Sequence, residues 1–458
     1  MKIRFLGGAR TVTGSCFYLT DAKYKILVEC GMYQGPDAEQ VNRRKFAFDP
    51  SEIDCLFLTH SHLDHVGLVP RLVTEGFRGR IITTAGTADI AELILYDSAH
   101  IQESDTEWYN RKALRTGMQL KEPLYTSRDV DRVLPLLERK AYGKIERLCE
   151  GVRYRFINAG HILGSSSLEL WYEDGREKKI VFSGDLGKKD NPIVKDPAFV
   201  EETDYLTIES TYGNRNHKGM QASVDELVDV IKSTFKIGGN VIIPSFALGR
   251  TQDLLFILNK LVKEDRLFRI NVYIDSPLAE GITKVYTAHP EYFDEEARLL
   301  FNIESRDAIR IHFTSRMEDS IALNRIKKEA IIIASSGMCE GGRIKHHLKH
   351  NLWRRESSIV FVGFQAKGTL GRQIIDGAKV VEVLGENIVV RAGIHTLGGF
   401  SAHADQKELL GWISMFKNTP EIFIVHGEEK ASLDLQTVIE ERFRYKTHVP
   451  ARGEEFDI

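Results

Sequence analysis

The chain has 458 residues, 42% hydrophobic and 28% charged, with a formal net charge of -3, a make-up that suits a folded, water-compatible chain of two or three domains. That balance excludes a protein coated in positive charge, so any nucleic-acid site must be a local patch. No run approaches 18 apolar residues, Met1–Gly8 lacks the apolar stretch of a signal peptide, and five scattered cysteines without Cys-x-x-Cys indicate neither a disulfide framework nor a zinc knuckle; no membrane span and a reducing cytoplasm are expected.

In chain order, the runs Ile3–Leu6, Ser15–Leu19 and Lys25–Val28 read as antiparallel strands separated by glycine. The third ends in Glu29, a carboxylate suited either to orienting a metal-bound histidine or to a solvated strand terminus. A buried strand, Cys55–Leu58, then runs into Thr59-His60-Ser61-His62-Leu63-Asp64-His65, with a helix expected over Val66–Val73. The carboxyl end of a strand is where open α/β sheets place their sites. Imidazole and carboxylate together suit zinc better than magnesium. Alternate residues point apart, so His60 and His62 can reach one centre while Asp64 and His65 face another, which reads as two metals.

Arg80–Thr84 is a further strand, and residues 86–142 read as mostly helical and charged. Three strands read as consecutive then bring His161, Asp185 and Glu209 to one edge, and an aspartate placed like Asp185 can bridge two metals. From about residue 221, strand–helix alternation predicts a separate lobe with a mostly parallel sheet: strands begin at Gly239, Asn271, Ala330 and Ser358. The loop at 335–343, with Ser336, Gly337 and Arg343, reads either as an anion-holding nest or as a plain tight turn. The following Lys345-His346-His347-Leu348-Lys349-His350 reads as a basic helix face or an ordinary charged helix, and Arg250 joins the candidate phosphate contacts. The last 90 residues return to the earlier style, with His403 in a glycine-led loop and His426 at the end of an apolar strand.

These residues resemble a known family. His60-x-His62-x-Asp64-His65, His161 and Asp185 resemble the metallo-β-lactamase superfamily of binuclear hydrolases. Glu209 in Glu-Ser-Thr-Tyr-Gly, His403 in Phe-Ser-Ala-His-Ala-Asp and His426 in Val-His-Gly-Glu resemble motifs A, B and C of its β-CASP nucleases, and Pro244 to Arg250 and Ser336 to Arg343 resemble their inserted lobe. The chain is similar to prokaryotic relatives of the cleavage and polyadenylation specificity factor endonuclease. The resemblance implies an α/β fold: a metallo-β-lactamase αββα sandwich, discontinuous over 1–209 and 371–458, with a β-CASP domain of mostly parallel sheet inserted at 210–370 and the site in the cleft between them.

By the same likeness His60, His62 and His161 hold one zinc, Asp64, His65 and His426 the other, and Asp185 bridges them. Glu29 stands where the family commonly has Asp. A histidine at motif C, here His426, marks the RNA-directed members. The expected activity is hydrolysis of single-stranded RNA by attack on phosphorus of water activated between the metals, with Glu209 and His403 protonating the leaving 3′ oxygen and leaving a 5′-phosphate. Arg250, Ser336, Gly337, Arg343 and Lys345 would contact the RNA backbone. Cutting is expected to be internal, with 5′-to-3′ trimming and a homodimeric state left open. Unlike archaeal relatives with KH domains or RNase J with its added C-terminal domain, the sequence is expected to act without such appendages. A thioester or lactam hydrolase and a non-catalytic RNA-binding subunit are the alternatives; the first leaves Glu209 and His403 without work, the second leaves a full ligand set unexplained.

Overall fold

The β-branched and aromatic runs near the N-terminus pair as their alternation requires: Lys2–Gly7, Cys16–Thr20 and Lys25–Val28 are antiparallel, with Ile3 opposite Leu19 and Tyr18 opposite Leu27. The computed structural model describes residues 1–35, 37–300, 309–366 and 368–458. They form two compact units, one of Met1–Lys189, Asp196–Asn216 and His403–Ile458, the other of Asp190–Lys195 and His217–Ala402.

The first unit holds two seven-stranded sheets. One continues from the N-terminal meander into the parallel strands Cys55–Phe57, Arg80–Thr84 and Leu137–Lys140. The other runs Thr447–His448, Glu421–Val425, Tyr205–Glu209, Arg176–Phe182, Ser166–Asp174, Val152–Asn158, Glu146–Cys149. Phe5, Phe17 and Phe57 of the first sheet and Phe156, Phe182 and Phe423 of the second are fully or almost fully buried in a shared core, so sheet packs on sheet. Helix Ala85–Thr116 packs against Arg80–Thr84 and Leu137–Lys140, while Gln406–Ile413 and Glu429–Phe443 bury Leu409, Trp412, Leu435 and Ile439 against the other face of the second sheet. The layering is the expected αββα sandwich.

Three local expectations are corrected. The strands that carry His161, Asp185 and Glu209 are not consecutive: Ser166–Asp174 lies between the first two and runs antiparallel to both. Since Val152–Asn158 and Arg176–Phe182 each oppose it, they point the same way and still end at one edge. The helix expected over Val66–Val73 is two short ones, Leu63–Val66 and Val69–Thr74, because Leu68 N–H is drawn to Cys30 O (2.9 Å) and Pro70, lacking an N–H, fits only a first helical turn. Within the mostly helical stretch expected over 86–142, Leu137–Lys140 is the edge strand of the first sheet.

The second unit is built on six parallel strands in the order Arg310–Phe313, Asn271–Asp275, Ala330–Ala334, Val241–Pro244, Ser358–Phe361, Gly393–Thr396. It runs on to Ala402, past the expected boundary at 370, because Gly393–Thr396 closes this sheet against Ser358–Phe361 and the ribbon of Val380–Val383 with Glu386–Val389 packs into its core. Among the described residues no helix is long and apolar enough to cross a membrane.

Candidate metal centre

Parallel pairing gathers the site. In the first sheet Lys25–Val28 and Cys55–Phe57 are parallel neighbours, so Glu29 and the turn His60–His65 leave the same edge. In the second, Arg176–Phe182, Tyr205–Glu209 and Glu421–Val425 are parallel neighbours with Glu209 opposite Val425, which brings Asp185, Glu209 and His426 together. Glu29 and His426 both take left-handed backbone (φ 66° and 47°), a conformation uncommon outside glycine, and both sit just past a strand end at this site. Gly184 is left-handed as well (φ 57°), and a Cβ there would stand 2.8 Å from Ser166 O and 2.9 Å from Thr59 Cβ, so Asp185 requires a glycine before it.

Asp185 is the centre of the cluster, with a side chain 2% exposed. Its Oδ2 lies 3.3 Å from His60 Nε2 and 3.7 Å from His161 Nε2; its Oδ1 lies 3.4 Å from His65 Nε2 and 3.5 Å from His426 Nε2. His62 Nδ1 stands 3.1 Å from His60 Nε2 and 3.3 Å from His161 Nε2, and Asp64 Oδ2 is 3.8 Å from His426 Nε2. Two donor sets result, His60, His62, His161 and Asp185 on one side and Asp64, His65 and His426 on the other, each with its ligand atoms within 4.8 Å of one another.

The chemistry of these sets fits metal. His65 Nε2 and Asp185 Oδ1 are buried, face each other and have no hydrogen-bond partner, a costly arrangement unless a cation lies between them. Burial pushes His62, His65 and His161 well below the usual imidazole range, toward the neutral form that ligates. Burial would push the Asp185 carboxyl up, but the surrounding imidazoles of His426, His65 and His60 hold it well below the usual carboxylate range. Nitrogen donors mixed with carboxylate are zinc's preferred surroundings.

Groups behind these residues orient them. Ser15 Oγ lies 2.9 Å from His426 Nδ1 and Thr59 Oγ1 lies 3.1 Å from His60 Nδ1. Neither was singled out from sequence, since a lone Ser or Thr beside a motif carries no periodic signal. Glu29 Oε1 accepts from Thr59 N–H (3.0 Å), while its Oε2 stops 3.6 Å from His65 Nδ1, outside hydrogen-bond length. Burial raises the Glu29 carboxyl well above its ordinary value.

Beside the cluster lies a carboxylate–imidazole pair. His403 Nδ1 is 3.2 and 3.3 Å from the oxygens of Glu209, and those oxygens also accept from Leu186 N–H (2.7 Å) and Thr211 N–H (3.3 Å). Ala404 N–H donates to Leu186 O (2.7 Å), pinning His403 beside the Asp185 loop, with its Nδ1 3.9 Å from Asp185 Oδ2. Burial disfavours charge on His403, but Glu209 and then Asp185 carry its pKa up to about 10. The imidazole is thus held protonated, as a proton donor must be.

The expected RNA contacts all belong to the second unit, in the loops and first helical turns that follow the carboxyl edge of its sheet, where Pro244 and Ala334 are register partners. Arg250 is buried, with Nη1 3.4 Å from Asp253 Oδ2. Ser336 Oγ donates to Gly341 O (3.3 Å) beside Gly337, folding the loop on itself. Arg343 donates to Asp275 Oδ1 (2.8 Å), Thr314 O (2.6 Å) and Ser315 O (3.1 Å), and Lys345 to Glu340 O (3.4 Å). His347 points inward, 2.6 Å from Asp275 Oδ2, so the basic run does not present one uniform face.

Three family models match: the metallo-beta-lactamase superfamily at residues 9–232, a Beta-Casp domain at 251–374, and a Zn-dependent metallo-hydrolase RNA specificity domain at 387–450. The chain is 37% identical to Ribonuclease TTHA0252 of Thermus thermophilus, over 95% of each chain. It is 30% identical to Transcription termination factor FttA of Methanocaldococcus jannaschii, over 98% of this chain and 70% of that one. A crystal structure of a protein of unknown function from Enterococcus faecalis V583 shares the fold, with a TM-score of 0.58 at 12% identity and 99% coverage of both chains.

Proposed function

The chain belongs to the metallo-β-lactamase superfamily, in the branch that carries a Beta-Casp domain, and from that premise we propose that it is a zinc-dependent ribonuclease hydrolysing phosphodiester bonds of single-stranded RNA. The observation that carries the reading is the division of labour at Asp185: each oxygen faces its own pair of imidazoles, and a protonated His403 held by Glu209 stands alongside. His60, His62, His161 and Asp185 would hold one zinc, and Asp64, His65 and His426, with Asp185 beside them, would hold a second. Bound zinc supplies Lewis-acid polarisation of the phosphoryl group and a nucleophile at neutral pH.

The chain's own groups do the rest. Asp185 stays ionised between the two donor sets, Ser15 and Thr59 fix imidazole orientation, and Glu209 holds His403 with its proton ready for the leaving 3′ oxygen. The products carry a 5′-phosphate and a 3′-hydroxyl, and the setting is cytoplasmic RNA processing or decay. Arg250, Ser336, Gly337, Arg343 and Lys345 serve the RNA backbone either by contact or by shaping the loops that make it. The test is cleavage of a circular RNA beside a linear 5′-monophosphorylated one, with a thioester as control. Opening of the circle by wild type, and its slowing by about 10^2 in His403→Ala with zinc retained, are expected; thioester turnover without RNA cleavage refutes the reading.

A further inference from the structure

A cavity of about 530 Å3 opens in the first unit, and none of its lining residues is a candidate metal ligand. Four cationic side chains line it, Arg44, Lys45, Arg71 and Arg452, together with the aromatic rings of Tyr33, Phe46 and Phe48 and no carboxylate. Its size falls within the range of small-molecule sites, roughly 300–1,000 Å3.

The aromatic wall is fixed in place. Phe46 stacks on Phe48 (5.2 Å between centroids), Phe48 on Tyr18 (5.3 Å), and the row is closed by the guanidinium groups of Arg71 over Phe46 (4.9 Å) and Arg4 over Tyr18 (5.3 Å). The segment bearing Arg44 and Lys45 is pinned on both sides. The Asn42 amide exchanges two 2.8 Å hydrogen bonds with the Tyr33 backbone, and Arg71 donates to Asn42 O; Arg4 donates to Ala47 O (2.7 Å). Between these anchors Arg44 and Lys45 are exposed, and among the described residues their side chains make no ion pair. Arg71 is already paired with Glu75 (2.6 Å), so inorganic phosphate would leave the rings unused and an apolar molecule would leave Arg44, Lys45 and Arg452 without a counter-charge.

We propose that this cavity is a nucleotide-binding site separate from the hydrolytic centre, taking a base against the Tyr33 ring and the edges of Phe46 and Phe48, and its phosphate between Arg44, Lys45 and Arg452. It goes beyond the ribonuclease reading and does not depend on it. The wall made by Gly14, Cys16, Cys30 and Gly31 also supports the second donor set: Ser15 N–H donates to Asp64 O (2.8 Å), Cys30 N–H to His65 O (2.9 Å), and a Cβ on Gly31 would stand 1.7 Å from Asp64 O. A bound nucleotide therefore bears on the backbone that carries Asp64 and His65. The same chemistry is offered by a free mononucleotide and by one nucleotide of an RNA strand.

The test titrates the full chain as purified with AMP, adenosine and inorganic phosphate by calorimetry, beside the double variant Arg44→Glu/Lys45→Glu. We expect AMP to bind roughly tenfold or more tighter than either fragment and the double variant to lose roughly tenfold or more of that affinity. Nucleotide held only at the metal centre would bind the double variant unchanged, which overturns the site. If the double variant loses its melting transition, Arg452→Glu takes its place with the same criterion. Photo-crosslinking with 4-thio-UMP and with a 4-thiouridine RNA then separates the sources: adducts on Tyr33, Phe46 or Phe48 from the monomer alone assign a free nucleotide, adducts from the strand assign RNA, and adducts from neither overturn the proposal.

Discussion

Asp185 in the first unit and Asp275 in the second have the same ingredients and opposite states. Each is a buried aspartate at the carboxyl end of a strand in a parallel-paired region, and each faces histidine. Asp275 is saturated: Thr314 Oγ1 (2.6 Å) and Arg343 (2.8 Å) donate to one oxygen, and Ser320 Oγ (2.6 Å) donates to the other, with His347 Nε2 at 2.6 Å. Around Asp185 four imidazoles stand back at 3.3 to 3.7 Å, and Oδ1 has no hydrogen bond. A filled carboxylate locks a fold; an unfilled one, ringed by imidazole nitrogens, has room for cations. Hydrogen-bond satisfaction, not residue type, separates the structural cluster from the chemical one.

That contrast can be broken by substitution. Asp185→Asn should have the largest effect, lowering RNA cleavage by on the order of 10^3 with loss of bound zinc while the melting transition of the chain remains. Asp275→Asn should do the reverse, leaving zinc content intact and costing about 3–5 kcal/mol in chemical denaturation, because His347 and Arg343 lose their buried partner. The pH dependence follows the same sign. Burial opposes ionisation of Asp275, but His347, Ser320, Thr314 and Arg343 hold its pKa below the unfolded value of about 3.9. Its contribution is therefore complete above about pH 4 and lost as the pH falls toward the native value, and Asp275→Asn should flatten stability across that acid window.

His403→Ala should lower turnover by about 10^2 with zinc retained. The acid form of His403 persists to about pH 10, so wild-type activity should fall as the pH rises through that value, and a His403→Gln profile should lack this limb. Glu29→Gln should have the smallest effect, on the order of tenfold in zinc affinity measured by competition with a chelator, since its Oε2 stands 3.6 Å from His65 Nδ1.

The gathering of the candidate metal ligands was legible because their chemistry is local or follows a local sign. His60 to His65 lie within one turn, and Asp185, Glu209 and His426 each end an apolar run, so parallel pairing gathers them without further information. What escaped depends on distant partners. Ser166–Asp174 is wholly buried over its first five residues and exposed at its end, which hides the alternation that marks a strand. His347 looked like part of a basic face because nothing near it announces Asp275, 72 residues away. The boundary at 370 missed the four-residue strand Gly393–Thr396, too short to signal that the second unit's sheet had one more member.

Zinc per chain, determined by elemental mass spectrometry on protein saturated with zinc and freed of excess metal, tests the central claim most directly. We expect two zinc ions in wild type and in Asp275→Asn, and fewer in Asp185→Asn. One ion or none in wild type, or two retained by Asp185→Asn, would contradict a pair of metals shared through that carboxylate.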